Sequence, residues 1–422
     1  MKATCWSVWV YCMFKNIRHY GVCLHRYAGL MMALFLVVAG LTGSIIAFYD
    51  PLDQAVNPQL YRVPESDQHR QAIDPLVLRE RLLAKHPEIQ IQWIPLTPTD
   101  HQAIRFSITP AINPSTGESY QLMYDELFVN PYSGDIQGKR MWGKISDGIE
   151  NLIPFLFKLH YQLALGQVGA YLMGVIGLLW TIDCFIGACL TFPRKTRQQA
   201  AQKEKRASRF IWLKRWLPAW KIRMHSTNRY KLNFDLHRAV GLWTWGMLFV
   251  LAWSSVAFNL NKEVYQPVMH FLFETQEMRP EALRQLQPNQ HPHLSYAEAK
   301  SVAERYLNVY NPQHLRQVQP LGMSYLPKLG VYQYRFVSNQ DISSSRGNTR
   351  LFIHADTGKI VDVYVPLGKA SGDTFTTWIR TLHMADCWGV PFKIFISVMG
   401  MVVSILSVTG FIIWFRKRQA QR

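Results

Sequence analysis

The sequence predicts a membrane protein of four transmembrane helices in two parallel repeats, with two small α+β domains outside the bilayer. Three observations predict this class. Four apolar stretches are long enough to span a membrane, the basic residues gather in three particular segments, and each half of the chain repeats the motifs of the other.

A helix needs about 20 mostly apolar residues to cross the hydrocarbon layer. Residues 24–49, 168–192, 240–260 and 394–415 meet that requirement. They define helices one to four, with spans at 24–49 and 237–260 and with the second and fourth extended outward, over 152–192 and 378–415. The polar, mixed stretches 50–151 and 261–377 are long enough to be small domains. Residues 1–23 read as a lead-in on the cytoplasmic side; they are apolar at first but lack the small-residue cleavage site of a signal peptide.

The formal charge of +18 would suit a large nucleic-acid-binding surface, but its distribution indicates otherwise. Segments 1–26, 193–238 and 416–422 together hold 22 Lys and Arg against two acids, Glu204 and Asp235. Short Lys- and Arg-rich segments stay in the cytoplasm. Both termini (the tail is 416–422) and the basic loop 193–236 are therefore expected there, with the two domains on the far side of the membrane. No nucleic-acid partner is expected. Of the six cysteines only Cys387 would meet an oxidising compartment, so no disulfide framework is predicted.

The repeat is legible residue by residue. Leu24-His25-Arg26 with Gly29 opens helix one, and Leu236-His237-Arg238 with Gly241 opens helix three. Leu159-His160 and Leu382-His383 are followed at equal offsets by Gly166 and Gly389, Gly177 and Gly400, and Gly187 and Gly410. The two domains repeat as well: residues 127–136 and 351–360 each read as strand, turn and strand, with Gly134 and Gly358 where the turn needs positive φ. Helical patterns precede both hairpins.

Parallel halves related by an axis along the membrane normal put His25 and His237 near the inner face and His160 and His383 at the outer ends of helices two and four. Each pair faces across the bundle at one depth, the geometry for clamping a planar cofactor between two neutral imidazoles. Two haem b groups, one per pair, are the expected cofactors, with the four histidines as axial ligands of the iron. Zinc would want three or four protein ligands close together, and none cluster; a c-type haem would need Cys-x-x-Cys-His, which does not occur. Met384, His19, His225 and His270 are alternative ligands without equivalents in the other half. Trp180, Trp243, Trp245 and Trp253 are expected to line the pockets or to pack at the membrane interface. Asp183, the one acid deep in a span, has Leu406 at its equivalent place and is expected to relay a proton or to pair with a buried base. If helix two is continuous, His160 lies 32 residues from Phe192, about 48 Å, which leaves a long gap between the two layers.

The Leu-His-Arg-x-x-x-Gly openings, Thr42-Gly43 and Thr409-Gly410, and the turns Asn130-Pro131-x-x-Gly134 and Asp356-Thr357-Gly358 resemble the PepSY-associated transmembrane family, over about 24–417. The resemblance implies PepSY-like outer domains and similarity to inner-membrane ferric-siderophore reductases of the ferrioxamine type. It implies an oxidoreductase that takes electrons from an unidentified cytoplasmic or membrane donor and reduces a periplasmic Fe(III) chelate to Fe(II). Two other readings stand beside it: a membrane-anchored module that regulates a protease or binds a partner without redox activity, and a transporter, which would be expected to show broken helices and mid-membrane polar groups.

Overall fold

The computed structural model describes residues 2–193, 209–224, 228–276, 286–289, 291–310, 315–343 and 346–421. Part of the basic loop, 194–208, and His225 therefore lie outside the described residues. The chain divides into a helix unit (Met1–Ala47, Lys158–Gln266 and Ile394–Arg422) and a sheet unit (Phe48–Phe157 and Pro267–Lys393).

Among the described residues, four helices are long and apolar enough to cross a membrane: Ile17–Ile46, Gly166–Thr191, Arg229–Asn259 and Gly389–Gln419. Helix one begins well before the expected lead-in boundary, at Lys2, because nothing before Ile46 interrupts its backbone ladder. Where helices one and four cross, the backbones nearly touch. A Cβ on Gly40 would collide with the Gly400 carbonyl, and one on Gly400 with that of Gly40. Ser44 donates to the Ser397 carbonyl at 2.7 Å, and Ser397 returns a bond to that of Ser44. Small residues and exchanged hydroxyl bonds hold helices together where lipid offers no hydrophobic drive. Gly174 and Gly177 give helix two the same closeness to Leu260 and Ser255 on helix three.

The outward extensions are not continuous with their spans. Leu152–Gln162 and Gly166–Thr191 are separate helices, with Leu163, Ala164 and Gly166 between φ 53 and 61. In the other half Ser371–His383 is separated from Gly389–Gln419 by Ala385, Trp388 and Gly389 between φ 52 and 65. Left-handed conformations cost an L-residue roughly 1–2 kcal/mol each, so two non-glycine residues held there in each half mark a fixed corner. The expectation of a straight extension is thereby corrected. Pro391 lies in the first turn of its helix, where its missing N–H is no loss.

In the sheet unit the strands expected in two separate domains form one antiparallel sheet, ordered β4-β3-β2-β1-β5-β6-β7-β8. The strands are β1 (Ile89–Pro95), β2 (Ile104–Pro110), β3 (Glu126–Val129), β4 (Ile136–Arg140), β5 (Gln317–Leu326), β6 (Val331–Ser338), β7 (Thr349–His354) and β8 (Ile360–Tyr364). The halves join at β1 and β5 through Ile94 opposite Met323 and Pro95 opposite Gly322, so neither strand is left as an unpaired edge. The β3–β4 and β7–β8 turns carry Gly134 and Gly358 at φ 81 and 68, as their sequences predict. Helix Pro75–Lys85 is capped by Asp74 and helix Tyr296–Arg305 by a Ser295–Glu298 capping box. Both pack into a single core in which Leu78, Ile94 and Phe106 meet Tyr334, Phe336 and Leu351. Arg140 is buried, paired with Asp53 at 2.8 Å and Glu126 at 2.7 Å, while Tyr61 donates to Asp53 at 2.6 Å. This cluster ties helix Tyr49–Val56 to the sheet.

Candidate functional site

Inside the helix unit a cavity of about 460 Å³ opens between the four helices. His25 and His237 line it, 6.1 Å apart between ring centres. Its apolar wall includes Met32, Leu36, Leu248 and Val403, and Arg18, Arg26, Arg238 and Lys417 gather along its length. The volume lies within the range of ligand and cofactor sites.

Each ring is oriented by a neighbouring helix through Nδ1. That of His237 is 3.0 Å from the Leu406 carbonyl and 3.1 Å from the Thr409 hydroxyl. A carbonyl only accepts, so His237 carries its proton on Nδ1 and, when neutral, keeps the lone pair of Nε2. His25 points Nδ1 at both carboxylate oxygens of Asp183, at 2.9 and 3.0 Å, with the same outcome. Glycines let the rings lie flat against the helices: a Cβ on Gly187 would be 3.3 Å from Cε1 of His25, and one on Gly410 3.2 Å from Cε1 of His237. Of the glycines at equal offset in the sequence, Gly187 and Gly410 are thus ring seats, whereas Gly177 and Gly400 serve helix packing.

His160 is held in the same way on helix one. Its Nδ1 is 2.9 Å from the Ala39 carbonyl and 3.2 Å from the Thr42 hydroxyl, and a Cβ on Gly43 would be 2.9 Å from its Cε1. The Ala39 carbonyl only accepts, so this ring too carries its proton on Nδ1. The corner at 163–165 places His160 beside helix one only 14 to 18 residues beyond His25, about 21–27 Å along the helix. The long gap expected from a straight helix two does not exist. His383 ends helix Ser371–His383 and belongs to the sheet unit.

The remaining candidates sort by position. Trp180 and Trp245 line the cavity, and Trp245 donates to the Cys184 carbonyl at 2.9 Å. Trp243 is largely exposed, with its indole N–H on the Trp220 carbonyl, and Trp253 packs on Tyr265. His19 lies near Cys23, and His270 bonds Thr275. Met384 follows His383 at the helix end. The sequence reading missed Arg18, Arg26, Arg238 and Lys417 as cavity residues; its one signal was their place beside the histidines or at helix ends.

Fold and cavity define a multi-pass membrane protein with paired histidines on a ligand-sized space. The chain belongs to the PepSY-associated TM region family, PepSY_TM, which it matches over residues 22–417. No curated protein matches it significantly.

Proposed function

We propose that this protein is a haem-containing transmembrane electron-transfer protein of the bacterial inner membrane, an oxidoreductase that reduces a periplasmic ferric siderophore with electrons from the cytoplasmic or membrane side. The observation that carries the reading is the His25–His237 pair: each ring is fixed through Nδ1 and each keeps Nε2 for a ligand. Two imidazole nitrogens each about 2 Å from one metal ion put their ring centres about 6 Å apart, against the 6.1 Å found. A metal with two protein ligands and a planar equatorial ring needs no third side chain, and no cluster of three His, Cys, Asp or Glu occurs among the described residues. The cations along the cavity suit the carboxylates of a haem. These residues fit the group.

His25 and His237 would hold one haem b. When bound, haem supplies a one-electron ferric/ferrous couple whose potential follows from its axial ligands and their hydrogen bonds. The protein's own part is to fix the two rings, exclude water with the apolar wall, and neutralise acidic groups at the basic end. The basic segments support termini in the cytoplasm and the sheet unit in the periplasm. There an Fe(III) chelate accepts one electron and becomes Fe(II), which hard oxygen donors hold less well. The motif resemblance to ferrioxamine-type reductases supports this choice of substrate.

The test is the visible spectrum of the purified protein. Reduced-minus-oxidised bands of a six-coordinate b-type haem are expected, diminished in His25→Ala and His237→Ala, and the dithionite-reduced protein should be reoxidised by ferrioxamine with Fe(II) appearing in a chelator trap. A well-folded protein without a Soret band overturns the reading in favour of a binding module.

A further inference from the structure

We infer that Asp183 is a positioning residue that makes His25 the more basic of the two cavity ligands and so lowers the potential of the group they would hold. The inference rests on the haem reading above.

Three histidines of the helix unit are seated on three residues of a neighbouring helix with one spacing. His160 sits on Ala39, Thr42 and Gly43, His237 on Leu406, Thr409 and Gly410, and His25 on Asp183, Ile186 and Gly187. In the first two seats the leading residue offers its backbone carbonyl and the threonine its hydroxyl oxygen. The hydroxyl protons are already used within their own helices, on Val38 at 2.6 Å and Ile405 at 2.8 Å, so both oxygens accept from Nδ1. In the third seat isoleucine replaces threonine and supplies no oxygen. A carboxylate appears three residues earlier, where the other seats have Ala and Leu, and reaches the same nitrogen with both oxygens. The exchange is compensated, so the orientation of His25 survives while the chemistry of its partner changes.

A carboxylate accepts a stronger hydrogen bond than a carbonyl or hydroxyl does. The Asp183 side chain is only 11% exposed, so water weakens that bond little. An Nδ1–H shared with a carboxylate pushes electron density toward Nε2 and raises ligand basicity. A more basic ligand favours the ferric over the ferrous state and lowers the potential. The Nδ1 partners of His237 are a carbonyl and a hydroxyl, both neutral. A group held by His25 and His237 is therefore lower in potential than one held by two imidazoles with such neutral partners.

Reductive titration of purified full-length protein, followed through its haem bands, tests this with three variants. Asp183→Asn keeps an oxygen acceptor without the charge. Asp183→Leu with Ile186→Thr rebuilds the seat of His237 on helix two. Asp183→Leu alone leaves only a backbone carbonyl and is expected to lose haem from the cavity, with the added Ile186→Thr restoring it. In Asp183→Asn and in the double variant the transition of the cavity group, identified by its loss in His237→Ala, should rise by at least a tenfold change in the oxidised-to-reduced ratio, about 59 mV for one electron. Full haem content with unchanged potentials in Asp183→Asn overturns the inference while leaving the haem reading intact. A haem-free wild-type protein would instead overturn the earlier reading.

Discussion

A neutral imidazole has one N–H and one lone pair, so a residue that occupies the first decides where the second is available. That is the work of Thr409, Thr42 and Asp183, and it separates these histidines from interfacial ones that only snorkel. Thr409→Val should keep the Leu406 carbonyl but lose the 3.1 Å hydroxyl contact to His237, loosening the ring. About a 10-fold or larger fall in haem affinity is expected, read by competition with a haem-binding acceptor protein. Gly410→Leu should do more, because even a Cβ stands 3.2 Å from the ring, and haem content per protein should fall. In the sheet unit, Asp53→Ala leaves the buried Arg140 guanidinium with the Glu126 carboxylate and the Glu150 carbonyl, removing one of its two carboxylate partners. Breaking a buried pair this way costs about 3–5 kcal/mol, which thermal unfolding in detergent would register. The histidines were legible in the sequence because Leu-His recurs at equivalent places. The partner of Asp183 was not: it lies 158 residues away on another helix, and no local pattern encodes which base it meets.

At the scale of elements, the four spans follow from hydropathy, since a run of about 20 apolar residues has few other stable environments. The corners after His160 and His383 do not, because Leu163, Ala164, Ala385 and Trp388 are ordinary helix formers that the tertiary fold holds at positive φ. Gly166 and Gly389, at equal offset in both halves, were the available signal. The corner turns a histidine expected above the bilayer into one seated on helix one. The crossing of helices one and four makes a sharper demand: Gly40→Val places branched atoms on the Gly400 carbonyl. Overpacking of this kind costs about 1–3 kcal/mol, and a lower melting temperature with reduced membrane yield is expected. Gly29→Ala is the control, since a Cβ there meets nothing within 4 Å.

Over the whole molecule, two chain segments that read as separate small domains share one sheet and one core, in which β1 and β5 form the seam. Gly322 is needed there, since a Cβ would strike the Trp93 ring and the Ile94 carbonyl. Gly322→Val should therefore destabilise both half-sheets together, seen as faster proteolysis of 50–151 and 267–377 alike, whereas independent domains would be affected singly. The sequence alone determined the membrane class and the apolar spans, and it raised the sidedness, the duplication and the paired histidines as expectations. These follow from composition and short-range spacing, which solvent transfer and chain geometry read directly. Only the tertiary structure decided that the sheet is one, that helix two turns a corner, that glycines seat imidazole rings, and that Asp183 stands in for a carbonyl and a threonine hydroxyl. Each of those depends on which distant backbones come within hydrogen-bond reach, a property of packing between elements that no single stretch of residues carries.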